Sequence, residues 1–286
     1  MRPFSTQSRY LAPSLWRQRA GIGAALLLLT ASAAGGAVLA RNASDNAIPS
    51  ARGDAKTSLP SKPAVAPFDL VRTTVRREGT KLVFVEQVSG KAGATRPTAV
   101  GKLAGSEVFS YVWPTTLDPA VVGFEGKTGT LALAATSHPD FDDTPRYDEN
   151  GDGDLKNDGD LWHSHWVVLT PDSACGPGAL KVRDIPAGAT PKMPPTWPEL
   201  PIFIDSPGYD LDIAGSQIRV EVPLKELGFP TAFRFDGVTA ALRVNASVHS
   251  PLLCVVDVFD VASGKLTLPG RVTTGVPTTG ANVQSR

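Results

Sequence analysis

The sequence predicts an all-β fold, a single antiparallel β-sandwich of the immunoglobulin-like or jelly-roll-like kind with long loops. Short runs of Val, Leu, Ile, Phe and Thr alternate with clusters of turn residues, which is typical of sandwiches and barrels. The chain of 286 residues contains 27 Gly and 25 Pro, so long regular segments are rare. Helical periodicity is weak, and the sequence shows no internal repeat or heptad. One domain of this class therefore accounts for most of the chain.

Residues 1–40 have the three parts of a secretory signal peptide. Four Arg and no acidic residue occur there, an uncharged segment runs from Ala20 to Ala40, and Val38 and Ala40 are the small residues that signal peptidase requires. This segment is also long enough to span a bilayer, so an uncleaved N-terminal anchor is the alternative. We expect cleavage, and hence an exported protein, periplasmic or extracellular, that no longer contacts the membrane.

The rest of the chain divides into a linker, a domain and a tail. Residues 41–66 are rich in Ala, Ser, Pro and Lys and predict a flexible tether. Residues 67–271 are expected to form the β-sandwich domain, and residues 272–286 a disordered tail. Because four of the 28 basic residues precede residue 41, the remainder carries a net charge of −4. A mildly acidic body argues against binding to the phosphate backbone of nucleic acids.

Eight β-rich runs within this domain are its candidate strands. They are Leu82–Val85, Val108–Trp113, Val121–Phe124, Thr130–Ala134, Leu161–Leu169, Ile218–Val222, Thr239–Val248 and Leu252–Val261. The segment Pro223–Gly228 predicts a single helical turn, with Pro at its start and Gly at its end. Residues 185–208 contain too many prolines for a central strand, so we expect a surface excursion or a cover over a sheet edge.

The two cysteines, Cys175 and Cys254, are expected to form a disulfide, because an exported protein matures in an oxidising compartment. Two buried free thiols are the alternative. A bridge that closes a loop of about 80 residues would stabilise the fold by up to ~4.5 kcal/mol on the chain-entropy model. The spacing is not C-x-x-C, which argues against a redox or zinc-thiolate role.

An acidic segment at residues 140–160 predicts a calcium site. It holds nine Asp or Glu side chains and three interleaved Gly. Such crowding is repulsive unless water or a cation compensates for it. Ca²⁺ takes six to eight oxygen ligands, which a turn containing Gly brings together. The expected ligands are Asp148, Asn150, Asp152, Asp154, Asp158 and Asp160. A solvated acidic loop with weak ion affinity is the alternative.

The acidic pattern differs from that of an EF-hand. Asp148-x-Asn150-x-Asp152-Gly153 matches the first six positions of an EF-hand loop. The twelfth position, however, is Gly159 instead of Glu, and a strand signal follows where a helix is required. The segment instead resembles the Asp-rich Ca²⁺ loops of secreted β proteins and type-3 repeats. We expect a mainly structural ion, since millimolar extracellular Ca²⁺ suits weak sites.

The run Leu161–Leu169, which reads LWHSHWVVL, places two histidines on one face of a strand. Alternate strand residues share a face, so the side chains of His163 and His165 are parallel neighbours. With His138, which precedes the acidic segment, they provide the three nitrogen ligands used by open zinc sites, and copper fits as well. The alternative is a pair of polar residues that hydrogen-bond to the acidic loop.

Trp162 and Trp166 lie on the opposite face of the same run. They either pack in the core against another sheet or form an exposed platform on which a sugar stacks. Tyr111 and Trp113 share one face of a neighbouring run and suit either arrangement. The sequence contains no G-x-S-x-G, H-E-x-x-H, Walker or G-x-G-x-x-G motif. A binding module is therefore expected in preference to an enzyme.

Residues 217–228, QIRVEVPLKELG, resemble a motif of DOMON-like and family-9-type carbohydrate-binding β-sandwiches. In that motif a strand is followed by Ile/Val-Pro-Leu-x-x-Leu-Gly. The resemblance implies an exported β-sandwich that binds a sugar or haem and carries a structural Ca²⁺. It transfers no ligand-binding residue to this chain.

These observations predict an exported calcium-binding β-sandwich that acts as a non-catalytic module for carbohydrate or another extracellular ligand. The first alternative is a metalloenzyme or metal carrier with a His-x-His zinc or copper site. The second alternative is a structural envelope protein that binds no small ligand.

Overall fold

The computed structural model describes residues 56–57, 65–98, 100, 104–139, 161–230, 232–245 and 252–273. These residues form an all-β structure with short 3₁₀ turns and contain no α-helix. The strands are β1 (Lys56–Thr57), β2 (Leu70–Glu78), β3 (Lys81–Val88), β4 (Glu107–Pro114), β5 (Thr130–Ser137), β6 (His163–Pro171), β7 (Leu180–Val182), β8 (Ile204–Asp205), β9 (Leu211–Ala214), β10 (Gln217–Pro223), β11 (Ala232–Phe235), β12 (Val238–Val244), β13 (Leu253–Val261) and β14 (Gly270–Thr273). The 3₁₀ turns are Ala66–Phe68, Pro119–Val122, Ser173–Cys175 and Leu224–Leu227. Within these ranges, no helix has the length and apolar character needed to cross a membrane.

Six strands form a closed antiparallel barrel. Their hydrogen-bonded order is β5-β4-β12-β13-β7-β6, and β6 pairs with β5 to complete the ring. The pairing of β5 with β6 runs from Thr130↔Leu169 to Thr136↔His163. The short β8 pairs with the edge of β6 that does not face β5, at Trp166↔Asp205 and Val167↔Ile204.

A second sheet, with the order β1-β2-β3-β10-β9, packs across one side of the barrel. Phe84 of β3 meets Trp113 and Trp166 of the barrel edge-on, with ring centroids 5.9 and 6.2 Å apart. Alternate side chains of each strand face this layer, because successive strand residues point to opposite sides. The larger apolar core therefore lies between the second sheet and the outer face of the barrel wall.

The inner face of the barrel is a separate apolar cluster. Many inward side chains of β4, β5, β6, β7 and β12 are aliphatic, among them Val112, Ala134, Val167, Val182 and Leu242. Strand β6 thus contributes alternate residues to the two cores, with Trp166 and Val168 facing the second sheet. The sequence predicts the same alternation, with Trp166 on the face of β6 opposite to that of His163 and His165.

The predicted turn at Pro223–Gly228 is confirmed. It is the 3₁₀ turn Leu224–Leu227, and it ends at Gly228, whose φ of 64° lies in the left-handed region that glycine adopts without strain. Leu224 and Leu227 are both buried beneath it. The two apolar residues of the predicted turn therefore fix the end of β10 against the main core.

The closed barrel is the main difference from the predicted sandwich. Alternation of apolar residues identifies strands but not their neighbours, so a barrel wall and an open sheet give the same sequence pattern.

The predicted strand Val121–Phe124 is wrong. Its first residues belong to the 3₁₀ turn Pro119–Val122, which begins with Pro and is capped by the Asp118 side chain, whose Oδ1 accepts from the Ala120 N–H at 2.9 Å.

Two predicted boundaries also differ from the structure. Lys56 and Thr57, within the predicted linker, pair with β2. Val272, in the predicted tail, is a buried residue of β14. The predicted signal peptide lies outside the described residues. The proline-rich residues 185–208 were expected to form a surface excursion or to cover a sheet edge. Their short strand β8 covers an edge of β6, with which it pairs.

Candidate metal centre

Three histidines meet at one end of the barrel. His163 and His165 are the first and third residues of β6, and both point inward with Val167. His138 directly follows β5, the strand that pairs with β6 from Thr136↔His163 onward. The antiparallel β5–β6 pairing therefore brings His138 to the start of β6, although the three residues span 28 positions of the chain.

The three imidazoles are buried and close together. His138, His163 and His165 are 2%, 6% and 1% exposed. The ring centroid of His163 lies 4.8 Å from that of His138 and 4.5 Å from that of His165. The Nε2 atoms of His138 and His163 are 3.1 Å apart. One nitrogen of each ring lies within 4.8 Å of a nitrogen of the other two.

Backbone carbonyls orient all three rings. The Nδ1 atom lies 2.7 Å from the Pro139 oxygen in His138 and 2.8 Å from the Leu161 oxygen in His163. In His165 it lies 3.2 Å from the Asp205 oxygen. A carbonyl oxygen only accepts hydrogen bonds, so the tautomer with its proton on Nδ1 satisfies all three contacts. In that tautomer Nε2 is unprotonated and is the metal-binding nitrogen of the ring.

This arrangement is the one found around protein-bound metals, where a ligating histidine donates its other N–H to a carbonyl or carboxylate. Two nitrogens bound to one tetrahedral zinc at about 2.05 Å are ~3.3 Å apart. The 3.1 Å between Nε2 of His138 and Nε2 of His163 is close to that spacing. Binding of all three nitrogens to one ion requires the widest pair, at up to 4.8 Å, to move closer.

The contact between two Nε2 atoms needs a proton or a cation between them. Two unprotonated ring nitrogens at 3.1 Å present lone pairs to each other, which is repulsive. A neutral ring that carries its proton on Nε2 makes this contact a hydrogen bond, but it then turns an unprotonated Nδ1 toward its carbonyl oxygen. A metal cation between the two Nε2 atoms instead lets both Nδ1 atoms keep their protons on the carbonyls.

The orientation of His165 depends on residues that the sequence analysis missed. Asp205 and Ser206 follow the proline-rich excursion, and both contact Nδ1 of His165, at 3.2 Å from the Asp205 oxygen and 3.1 Å from Ser206 Oγ. Thr196 Oγ1 in turn donates to Asp205 Oδ1 at 2.6 Å. These contacts join positions about 40 residues apart, and no local sequence signal identifies them.

Trp166 of β6 lies in the core, and Trp162, just before β6, packs against it. Trp166 is fully buried, and its Nε1 donates to the Tyr209 hydroxyl at 3.1 Å. Trp162 is half-buried, packs 5.0 Å from the ring of Tyr111, and donates to the Gly93 oxygen at 3.1 Å. A sugar approaching from solvent has no face of Trp166 to stack on, so of the two predicted arrangements Trp166 adopts packing in the core.

The other expected sites have different outcomes. The disulfide between Cys175 and Cys254 is confirmed, with their Cα atoms 5.4 Å apart. The expected calcium ligands Asp148, Asn150, Asp152, Asp154, Asp158 and Asp160 all lie outside the described residues. The calcium site therefore stays a prediction.

Comparison with known proteins assigns no family to this centre. No protein-family model matches the chain, and neither the curated proteins nor the solved structures gave a match. The resemblance of residues 217–228 to carbohydrate-binding β-sandwiches therefore stays an expectation from the sequence.

Proposed function

We propose that this protein binds one divalent transition-metal ion through His138, His163 and His165. The observation that supports this proposal is the convergence of three buried imidazoles whose Nδ1 atoms all lie within hydrogen-bond distance of a backbone carbonyl oxygen. Carbonyl acceptors fix both the ring orientation and the tautomer, which prepares the Nε2 atoms for an ion. Zinc and copper, the two metals that the sequence suggests for these histidines, both bind imidazole nitrogen readily.

With the three histidines as its ligands among the described residues, a tetrahedral ion has one position left for water or a substrate. Zinc with three protein nitrogens and one exchangeable ligand is the arrangement of catalytic sites, whereas structural zinc has four protein ligands. Both a metalloenzyme and a metal carrier use such a centre. Slow transfer of the ion to a chromophoric chelator would favour the metalloenzyme, because a carrier must release its ion readily.

The metal proposal is tested by titrating chelator-treated protein with Zn²⁺, Cu²⁺ and Co²⁺ by calorimetry. We expect one ion per chain, and for Co²⁺ the intense visible bands of a four-coordinate site. In His163→Ala the affinity should fall by about 100-fold or more, beyond the usual effect of removing an outer-shell group. His163→Asn, which keeps a polar side chain in the buried position, should lose the ion equally.

Ser164→Ala is the matched control. Ser164 lies between the two strand histidines on the opposite face, where its hydroxyl accepts the Tyr209 N–H at 3.1 Å. Its removal should lower thermal stability and leave metal affinity unchanged. Equal metal binding by the wild type and His163→Ala, with both proteins folded by circular dichroism, would contradict the proposal.

A structural calcium ion in residues 140–160 remains a second proposal. It is supported by nine acidic side chains and the Asp148-x-Asn150-x-Asp152-Gly153 pattern. Added Ca²⁺ should raise the melting temperature, and Asp152→Asn together with Asp154→Asn should abolish this increase. Because the histidines are a nitrogen site, His163→Ala should keep the full response to calcium.

We also propose that the protein is exported, with cleavage after Ala40. The sequence of residues 1–40 supports this, and the disulfide agrees with an oxidising compartment. Sequencing of the N-terminus of protein recovered from outside the cytoplasm is the test. A mature chain that begins at Met1 would instead support a retained anchor. An exported protein that binds neither metal nor an apolar ligand would fit the structural envelope alternative.

A further inference from the structure

The barrel encloses an apolar cavity of about 490 Å³. Most of its wall is aliphatic and comes from the inward faces of β4, β6, β12 and β13, for example Val112, Leu169, Leu242 and Val255. This volume lies in the range of small-molecule binding sites. An apolar void leaves its lining atoms without dispersion partners, so an apolar occupant would stabilise the barrel.

The polar groups of the cavity gather at its histidine end. Ser110, Thr136, His138 and His165 line it there, and the strand register shows why they are neighbours. Ser110 pairs with Thr136, and Thr136 pairs with His163. The next inward positions along the strands, Val112 and Ala134 and then Pro114 and Val167, are apolar. The lining therefore changes from polar to aliphatic along the barrel axis.

One border of the cavity reaches the protein surface. Among the described residues, β13 pairs with β7 at one position, Cys254↔Lys181. Val258 and Leu266, farther along the chain, are 55% and 37% exposed and also line the cavity. Lys265 lies beside Leu266 at this border. The part of β13 beyond Cys254 therefore borders an opening of the cavity, at Val258 and Leu266.

We infer that the barrel cavity binds a single-chain amphipathic molecule with its carboxylate at the histidine end. The aliphatic tail lies along the cavity toward the opening near Leu266, and a carboxylate oxygen takes the remaining coordination position of the ion. This inference rests on the proposed metal site and names the class of its ligand. His138 and His165 line the cavity, so the ion they hold faces the same space as the tail.

The polarity of the lining decides this orientation of the ligand. Carboxylate oxygen is a good ligand for zinc, and burial of an isolated carboxylate elsewhere in the aliphatic cavity would be strongly unfavourable. The opposite orientation would place the head group at Lys265, whose ammonium is the charged group at the opening. The two orientations predict different dependences on metal and on Lys265, so they are separable by experiment.

The test uses decanoate and 1-decanol as probes, measured by calorimetry on the zinc-loaded and the chelator-treated protein. Decanoate should bind at least tenfold more tightly to the zinc form, whereas decanol, which has a weak metal-binding group, should bind both forms alike. Lys265→Ala should change decanoate affinity less than twofold. A dependence on Lys265 in place of zinc would overturn the inference.

Ala240→Leu tests the cavity without altering a histidine. Ala240 lines the cavity from β12, and the larger side chain fills part of the space. It should weaken both probes by at least tenfold and leave zinc affinity unchanged. Ala232→Leu makes the same change at an exposed position of β11 and should have no effect on either probe.

The outcomes separate the inference from the metal proposal. Zinc binding with no binding of either probe, or with decanoate affinity independent of zinc, would overturn the inference and leave the metal proposal standing. Failure of the wild type to bind any of Zn²⁺, Cu²⁺ and Co²⁺ would overturn both. Decanoate binding that is unchanged in Ala240→Leu would show that the probe lies outside the barrel, which also contradicts the inference.

Discussion

Lys181 and Cys254 form the residue pair that joins β7 to β13 and thereby closes the barrel. The sulfur of Cys254 is bonded to Cys175, in the 3₁₀ turn just before β7. Beside it, Asp184 Oδ1 accepts the N–H of Leu252 at 3.0 Å. The other neighbouring strands of the barrel pair at three or more positions, whereas side-chain bonds supply much of the connection at this seam.

Removal of the disulfide should weaken the fold at this seam. The bond closes a loop across 79 positions, which on the chain-entropy model corresponds to up to ~4.5 kcal/mol of stability. We expect Cys175→Ser with Cys254→Ser to lower the free energy of unfolding in urea by about 2–4 kcal/mol. Hydrogen exchange should increase first in β7 and β13. A reducing agent should destabilise the wild type and leave the double variant unaffected.

Asp184 should contribute to the same seam through two separate bonds. Its Oδ2 lies 2.8 Å from Lys181 Nζ, and its Oδ1 accepts from Leu252. Asp184→Asn keeps an acceptor for the Leu252 N–H and loses the charge opposite Lys181. Asp184→Ala loses both.

We expect Asp184→Ala to lower the free energy of unfolding by about 2 kcal/mol, and Asp184→Asn by about half as much. Urea unfolding at neutral pH measures both values. Equal losses in the two variants would show that the backbone bond to Leu252 contributes nothing.

Glu86 is a fully buried carboxyl group that pairs with Thr73 across β2 and β3. Its Oε1 accepts the Val238 N–H at 3.2 Å, but Oε2 and the Thr73 hydroxyl are buried without a hydrogen-bond partner in the described structure. Burial raises the pKa of Glu86 well above its usual range, and the neighbouring carboxylates of Asp236 and Asp260 act in the same direction. Glu86 is therefore a neutral acid in the folded protein over a wide pH range.

This raised pKa makes stability depend on pH with a definite sign. The folded state keeps a proton that the unfolded state loses above about pH 4.5, so the contribution of Glu86 is complete below that pH. It decreases as the pH rises toward the pKa of the folded state. Glu86→Gln cannot ionise and keeps an oxygen acceptor for Val238.

The difference in unfolding free energy, Glu86→Gln minus wild type, should therefore increase from pH 4.5 upward. Urea unfolding of both proteins at pH 4.5, 6 and 7.5 measures it. Other titrating groups are common to both proteins and cancel in the difference. A difference that stays constant over this range would show that Glu86 is ionised when folded.

The sequence was sufficient for those features that depend on local periodicity. Alternation along β6 predicted that His163 and His165 share a face and that Trp166 points the other way, and the structure agrees. Barrel closure was not predictable, because it depends on which strands become neighbours. The same holds for Asp205, which reaches His165 through pairing of a two-residue strand with β6. Long-range pairing of short segments leaves no periodic signal in a sequence.

Thr196 should affect the metal centre from a distance, through the backbone of Asp205. The Thr196 hydroxyl donates to Asp205 Oδ1 at 2.6 Å, and the Asp205 carbonyl in turn orients His165. Loss of this bond lets the Asp205 backbone move, so the imidazole is less well prepared for an ion. Removal of an outer-shell partner commonly lowers metal affinity by about 10–100-fold. Thr196 is one bond farther away, so we expect Thr196→Val to lower zinc affinity by roughly 3–10-fold.

Thr196→Ser is the matched control, because it keeps the hydroxyl and loses a methyl group. Its zinc affinity should equal that of the wild type, measured by the same calorimetric titration. If Thr196→Val and Thr196→Ser lose equal affinity, the effect comes from packing of the proline-rich excursion and not from the hydrogen bond. If neither variant changes zinc affinity while His163→Ala abolishes it, the orientation of His165 does not depend on the Thr196 bond to Asp205.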